Sequence, residues 1–220
     1  MDTGEWTPWM LRSLSQPRLD SYAAAAGGIA EGSRLYWWNI EASGAFYAPL
    51  QFLEVALRNA LHNTLRQKYA RADWWSAAPL DPHGIRLVDK ARQDRVHRSR
   101  PSATADDIVA GLSFGFWVKL LSSRHDRTFW VPTLHRAFPR GVGRRDSLHG
   151  QFNSMRELRN RISHQEPIHH LDLEAAHTTL HRLLGALDPE LAQEVLRMDR
   201  TPTVLKNRQD TCAGLRTPQF

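Results

Sequence analysis

Apolar residues recur along this chain at the three-and-four spacing of helices, and no stretch alternates convincingly at the period of two that a half-buried strand requires. The clearest case runs from Leu50 to about Tyr69, where Leu50, Leu53, Leu57, Ala60, Leu61 and Thr64 share one stripe. Upstream, Leu19 to Ala26 predicts a short helix that Gly27-Gly28 stops. Ser33 reads as the N-cap of a further helix carrying Tyr36, Trp37 and Ile40, and Pro49 as a kink or a fresh start. Residues 71–83, with Trp74, Trp75, Pro79 and Pro82, read as an ordered connection, and 84–100 as a basic helix or loop. Thr104, with Asp107 three residues on, announces a helix start, and a helix-turn-helix stretch follows over 105–123. Residues 139–146 form a loop, and a helix follows from about Ser147 to His164, ending before Pro167. Asp172 caps the next, to about Leu187, and Pro189 opens a last short one. The fold class is therefore all-α. The expected organisation is a loose lead-in over 1–17, one helical bundle domain over 18–200 with an N-terminal helical extension, and a flexible tail over 201–220.

Composition sharpens this picture in one respect. The formal charge is +6, and only four of the 29 basic residues are lysine, which leaves 25 arginines. Guanidinium forks grip phosphates at two points, so an anionic partner, nucleic acid first, fits this balance. The competing reading is a solvated basic surface. With 41% hydrophobic residues the chain can bury a sizeable core. A single cysteine, Cys212, cannot form an intrachain disulfide and suits a reducing compartment. Asp2 and Glu5 do not resemble a signal-peptide start, and the Ala23 to Ala30 run is too short and glycine-rich to span a bilayer. A cytoplasmic protein with no membrane partner is the expectation.

The helix over 147–164 holds the most informative cluster. Phe152, Met155, Leu158 and Ile162 define its buried stripe, and Arg159 falls inside that stripe, where a charge is costly unless paired or solvated in a cleft. Asn160 and His164 are four apart and lie together on the other side. Arg159 and His164 are five apart, so a regular helix turns them about 140° away from each other. They can cooperate if the helix distorts near Ser163, if the arginine bends around, or if two copies of the helix meet in a dimer.

The hexapeptide Arg159-Asn160-Arg161-Ile162-Ser163-His164 resembles the HEPN motif: an arginine, a polar residue, then a histidine a turn or more beyond the arginine. The likeness extends to ordered blocks at Leu14–Leu19, Leu35–Asn39, Glu54–His62, Leu112–Trp117 and Arg159–Ile168, which together resemble the Abi-like (abortive infection) family. A second histidine often follows the motif histidine in that family, and this chain has Gln165 there. The resemblance implies a HEPN-type bundle, commonly a homodimer with two motifs facing a shared cleft. It also implies a metal-independent endoribonuclease of phage defence or a toxin system, using no cofactor, with a possible regulatory partner or antitoxin. The ribose 2′-hydroxyl attacks the adjacent phosphate and leaves a cyclic phosphate. Arg159, Asn160 and His164 are then the catalytic candidates. Histidine shuttles protons near neutral pH, arginine neutralises charge building on the phosphate, and asparagine orients the histidine or binds the backbone. The competing reading of His164 is a helix-terminal cation facing the dipole.

Glu54, Arg58 and His62 form a column at four-residue spacing, and Glu54 and Arg58 are supporting candidates that either serve the site or form a plain ion pair. Arg92, Arg95 and Arg98, with Arg161, are candidates for holding RNA. Trp37, Trp38, Phe114, Phe116 and Trp117 suit a core better than base stacking. His177 and His181 have helical-pair spacing, but no cysteine or convergent acid completes a ligand set, so no metal is expected. Two other classes stay open: a HEPN module that grips RNA or protein without cutting, and a helical dimer serving as scaffold or antitoxin.

Overall fold

The structure is a computed structural model that describes residues 6–96, 103–141 and 143–220, with side chains described for 6–94, 103–141 and 143–220. It is all-α, with no strand among the described residues. Helices α1 (Pro8–Leu14), α2 (Gln16–Ala26) and α3 (Ile29–Tyr69) precede α4 (Pro82–Val96), α5 (Ala105–Gly111) and α6 (Phe114–Lys119). Helices α7 (Arg145–Ser163), α8 (Leu173–Leu187), α9 (Pro189–Met198), α10 (Thr201–Lys206) and α11 (Arg208–Cys212) complete the chain. No helix of the described residues is long and apolar enough to cross a membrane.

The chain packs as two compact units whose segments interleave. The first holds Met1–Pro49, Arg159–Thr178 and Met198–Phe220, and the second Leu50–Leu158 and Thr179–Arg197. This division differs from the linear one of lead-in, bundle and tail.

In the first unit, α2 ends on Gly27 at φ 85°, a conformation that a Cβ would strain. The chain then turns directly into α3. A Cβ on Gly32 would lie 2.6 Å from the backbone of Ala23, so only glycine lets α2 and α3 approach this closely. The expected N-cap at Ser33 is corrected, because the helix starts four residues earlier and Ser33 lies inside it. The expected lead-in is also ordered in part. Trp6 is buried and donates from Nε1 to Asp20 Oδ1 at 3.1 Å, and Met10 of α1 is buried.

Of the kink or fresh start expected at Pro49, the fresh start does not occur, because α3 runs through it as one helix of 41 residues. Proline lacks the N–H that would reach the carbonyl four residues back, here Ala45. Thr201, fully buried on α10, donates its hydroxyl to that carbonyl at 3.2 Å. A side chain 156 residues away thus satisfies the acceptor that proline leaves open. Thr201→Val, which keeps the shape and removes the donor, is expected to cost about 1–3 kcal/mol in denaturant unfolding. In a Pro49→Ala background, where a backbone N–H returns, the same change should cost less; equal costs in both backgrounds would refute the account.

Residues 201–220 are not a frayed tail. Glu41 of α3 is buried, and Arg216 grips both of its oxygens at 2.7 and 2.6 Å, while Gln219 N–H adds a third contact at 3.1 Å. Trp38 Nε1 donates to the Val204 carbonyl at 3.2 Å, and Arg34 Nε to that of Cys212 at 2.7 Å.

In the second unit, Leu50, Leu53, Leu57 and Leu61 of the expected stripe on α3 are buried, Ala60 and Thr64 at its edge are half-buried, and Leu65, outside the expected set, is buried as well. Trp74 and Trp75, in a short helical turn after α3, are buried as well, and Trp74 packs 6.3 Å from Trp117. The capping box at Thr104 and Asp107 starts α5, and Ser113 caps α6. Phe114, Phe116 and Trp117 are core residues here, as Trp38 is in the first unit.

Candidate functional site

Helix α7 follows its pattern closely. Leu148, Phe152, Met155 and Leu158 are buried along one stripe, and Ile162 is half-buried at its end. Arg159 and Asn160 are half-buried, and Arg159 Nη1 stands 3.5 Å from Asn160 Oδ1, a long and weak contact. His164 is exposed and occupies the C-cap position, one residue beyond the last helical one.

The helix stops there for a visible reason. Gln165 N–H donates to the Ile162 carbonyl at 3.1 Å and Glu166 N–H to that of Arg161 at 2.8 Å, the paired closure of a Schellman turn. Such a turn puts its next residue in the left-handed region, where glycine is usual, and here Gln165 sits at φ 54°. A side chain in that conformation costs about 1 kcal/mol or more, so other contacts must hold it. Arg18 Nη2 donates to the Gln165 carbonyl. Three and four residues further on, buried Asn39 Oδ1 accepts the backbone N–H of Ile168 at 2.8 Å and of His169 at 3.0 Å. These contacts clamp the segment after His164 and fix where the helix end presents its imidazole.

Arg161 turns toward the same segment. Its Nη1 lies 3.4 Å from the Pro167 carbonyl and 3.5 Å from Glu166 Oε2. Glu54 and Arg58 are half-buried on α3, in the second unit, and Arg58 Nε donates to Asn59 Oδ1 at 3.4 Å. His62, the third residue of that column, is buried, and its Nδ1 accepts from Trp74 Nε1 at 3.2 Å. Accepting there places the ring proton on Nε2, and burial pushes its pKa below the usual histidine value. It is a core histidine. Arg92 is exposed and pairs with Asp89 at 3.0 Å, while the side chains of Arg95 and Arg98 lie outside the described residues.

Three participants escaped the sequence reading. Asn39 lies within a quoted block, but nothing local says that it would bind a loop about 130 residues away. Gln165 was noted only as a departure from a histidine, and its left-handed backbone has no sequence signal. The expectation that no acid converges on His177 and His181 is corrected: Asp199 Oδ2 lies 2.8 Å from His177 Nε2, and ligand atoms of all three residues lie within 4.8 Å of one another. Asp199 also accepts the Thr201 N–H at 2.8 Å, so it organises the entry to α10.

No protein-family model, no curated protein and no solved structure matches the chain.

Proposed function

We propose that this chain is a metal-independent endoribonuclease of HEPN type, acting in abortive infection or a toxin system. The observation that supports this reading best is the helix end itself. A motif-like run of Arg159, Asn160 and His164 closes α7, its histidine is exposed, and the next residue is held in a conformation that costs energy. Strained backbone beside a solvent-facing titratable side chain is common where function fixes geometry.

The chemistry is transfer of a phosphodiester within the substrate. The 2′-oxygen forms a bond to phosphorus as the bond to the 5′-oxygen breaks, leaving a 2′,3′-cyclic phosphate and a free 5′-hydroxyl. The 2′-hydroxyl gives up a proton, and the leaving oxygen takes one. A neutral His164 accepts the first and a protonated His164 donates the second. Arg159 offsets the charge that builds on the non-bridging oxygens. In a homodimer with two motifs at one cleft, the two histidines divide these roles. A dimer also answers the angular separation of Arg159 and His164 on one helix.

The test is incubation of purified protein with RNA in excess EDTA. Cleavage is expected to proceed unchanged and to leave cyclic phosphate ends. If chelation abolishes cutting and Mg²⁺ or Mn²⁺ restores it, the proposal fails. RNA bound tightly but never cut would favour the non-catalytic HEPN module.

A further inference from the structure

In the second unit, α4, the start of α6 and the middle of α7 line a half-open cavity of about 390 Å³. Its polar lining is His83, Ser113, Lys119, His149, Asn153 and Arg156, and no carboxylate is among the described residues that line it. Leu87 and Phe116 supply an apolar wall. None of these residues belongs to the Arg159–His164 motif.

The cationic groups are held in place. Arg156 Nε donates to Asn153 Oδ1 at 3.1 Å, and the amide of Asn153 donates in turn to Glu157 Oε1 at 2.8 Å. Arg156 Nη2 lies 3.7 Å from that same carboxylate oxygen. The arginine stem runs past Gly115, where a Cβ would stand 3.5 Å from its Cδ. Lys119 Nζ lies 3.2 Å from Asp81, but Arg124 shares that carboxylate at 3.6 Å, and Gly84 N–H also binds it at 2.7 Å. Two cations thus divide one carboxylate, which is not among the lining residues. Ser113 Oγ accepts the Phe116 N–H at 3.3 Å, which leaves its own hydroxyl proton to give. His149 is half-buried, and burial, then the charges of Arg145 and Arg156, hold its pKa below the usual value. It therefore reports on charge: an anion placed among these groups reverses the disfavour toward imidazolium.

We propose that this cavity binds a phosphomonoester ligand the size of a mononucleotide. Donors from three helical segments line this one cavity, which suits a tetrahedral anion with several oxygens better than a planar carboxylate. Guanidinium and ammonium groups bind such oxygens through charge-assisted hydrogen bonds. The volume falls in the range of about 300–1,000 Å³ typical of small-ligand sites and is too small for a duplex. The apolar wall of Leu87 and Phe116 gives a base or similar ring a face to rest on.

Calorimetric titration of the full chain tests this, with AMP, adenosine, inorganic phosphate, and a short RNA carrying either a 5′-phosphate or a 5′-hydroxyl. AMP and phosphate are expected to bind and adenosine not to. Binding of the 5′-phosphorylated RNA alongside AMP would identify RNA ends as the source of the phosphate, and binding of AMP without it a free nucleotide. Arg156→Gln should weaken AMP binding by about tenfold or more, since it removes a charge-assisted contact. Gly115→Leu keeps every charge and fills the space, so it should abolish binding in a protein whose circular dichroism is unchanged. Should Arg156→Gln fail to fold, Gly115→Leu and His149→Gln decide the matter. In NMR the His149 ring should titrate at higher pH once phosphate is present, from a baseline lowered by burial and then by Arg145 and Arg156, with Lys119 and His83 on the same cavity lining. No binding of AMP at millimolar concentration, adenosine binding as tightly as AMP, or affinity unchanged in folded Gly115→Leu would each overturn the proposal.

Discussion

RNA cleavage by a His164→Ala variant is expected to fall by roughly a hundredfold or more, with the fold intact, because losing a positioned proton-transfer group typically costs that much. The side chain is exposed at the C-cap, so its removal opens no cavity. Arg159→Ala should cause a loss of similar size if the guanidinium offsets charge in the transition state. Its cost to stability is a separate matter, because Arg159 is half-buried on a largely apolar face; its melting temperature must be compared first. The double variant should be little worse than either single one, since both residues act on one transition state. Single-turnover cleavage of end-labelled RNA reads all three. Folded His164→Ala protein that cuts at the parental rate would end the catalytic reading. Loss of cutting with RNA binding retained is the expected pattern.

Which parts of this architecture are legible in the sequence depends on how far apart the partners lie. The Thr104 capping box, the Asp172 cap, where the Ala175 N–H reaches Oδ1 at 2.9 Å, and the Gly27 stop each involve residues within one or two turns. Their chemistry is complete in a short window, so pattern reading finds them. That α3 continues past Pro49 is not visible locally, because the donor that serves its open carbonyl is Thr201, and Gly32 is silent because its neighbour is the backbone of another helix. The tail gives little pattern because its helices are short and bury only Thr201, Val204 and Thr211, and its last residues are anchored by Arg216 and Gln219 reaching Glu41. At the candidate site, residue identities were visible on the helix, and so was the angular problem between Arg159 and His164. The turn at Gln165 and the Asn39 clamp were not, since both are fixed by tertiary contacts.

The anchoring of Glu41 leads to the largest expected effect on stability. Its carboxylate is 1% exposed, and two hydrogen bonds from Arg216, helped by the Gln219 N–H and the Arg216 charge, hold its pKa below the ordinary value of 4.5 although burial pushes the other way. Arg216→Ala leaves that charge buried with the Gln219 N–H as its remaining contact from this set. Breaking a buried pair in this way costs roughly 3 kcal/mol, reduced somewhat by the partial exposure of Arg216. For a chain of this size that corresponds to a melting temperature lower by roughly 6–12 °C at neutral pH. The pH dependence has a definite sign. In the parent protein the depressed folded pKa adds stability above 4.5 that is lost as pH falls through the folded value. In the variant the opposing effect of burial prevails and raises the folded pKa, so acid relieves the buried charge. The gap between the two melting temperatures should therefore narrow from pH 7 toward pH 4. Glu41→Gln in the Arg216→Ala background removes the charge altogether and should recover part of the loss at pH 7. A variant that melts with the parent at pH 7, or a gap that widens in acid, would show that Arg216 does not carry this anchor.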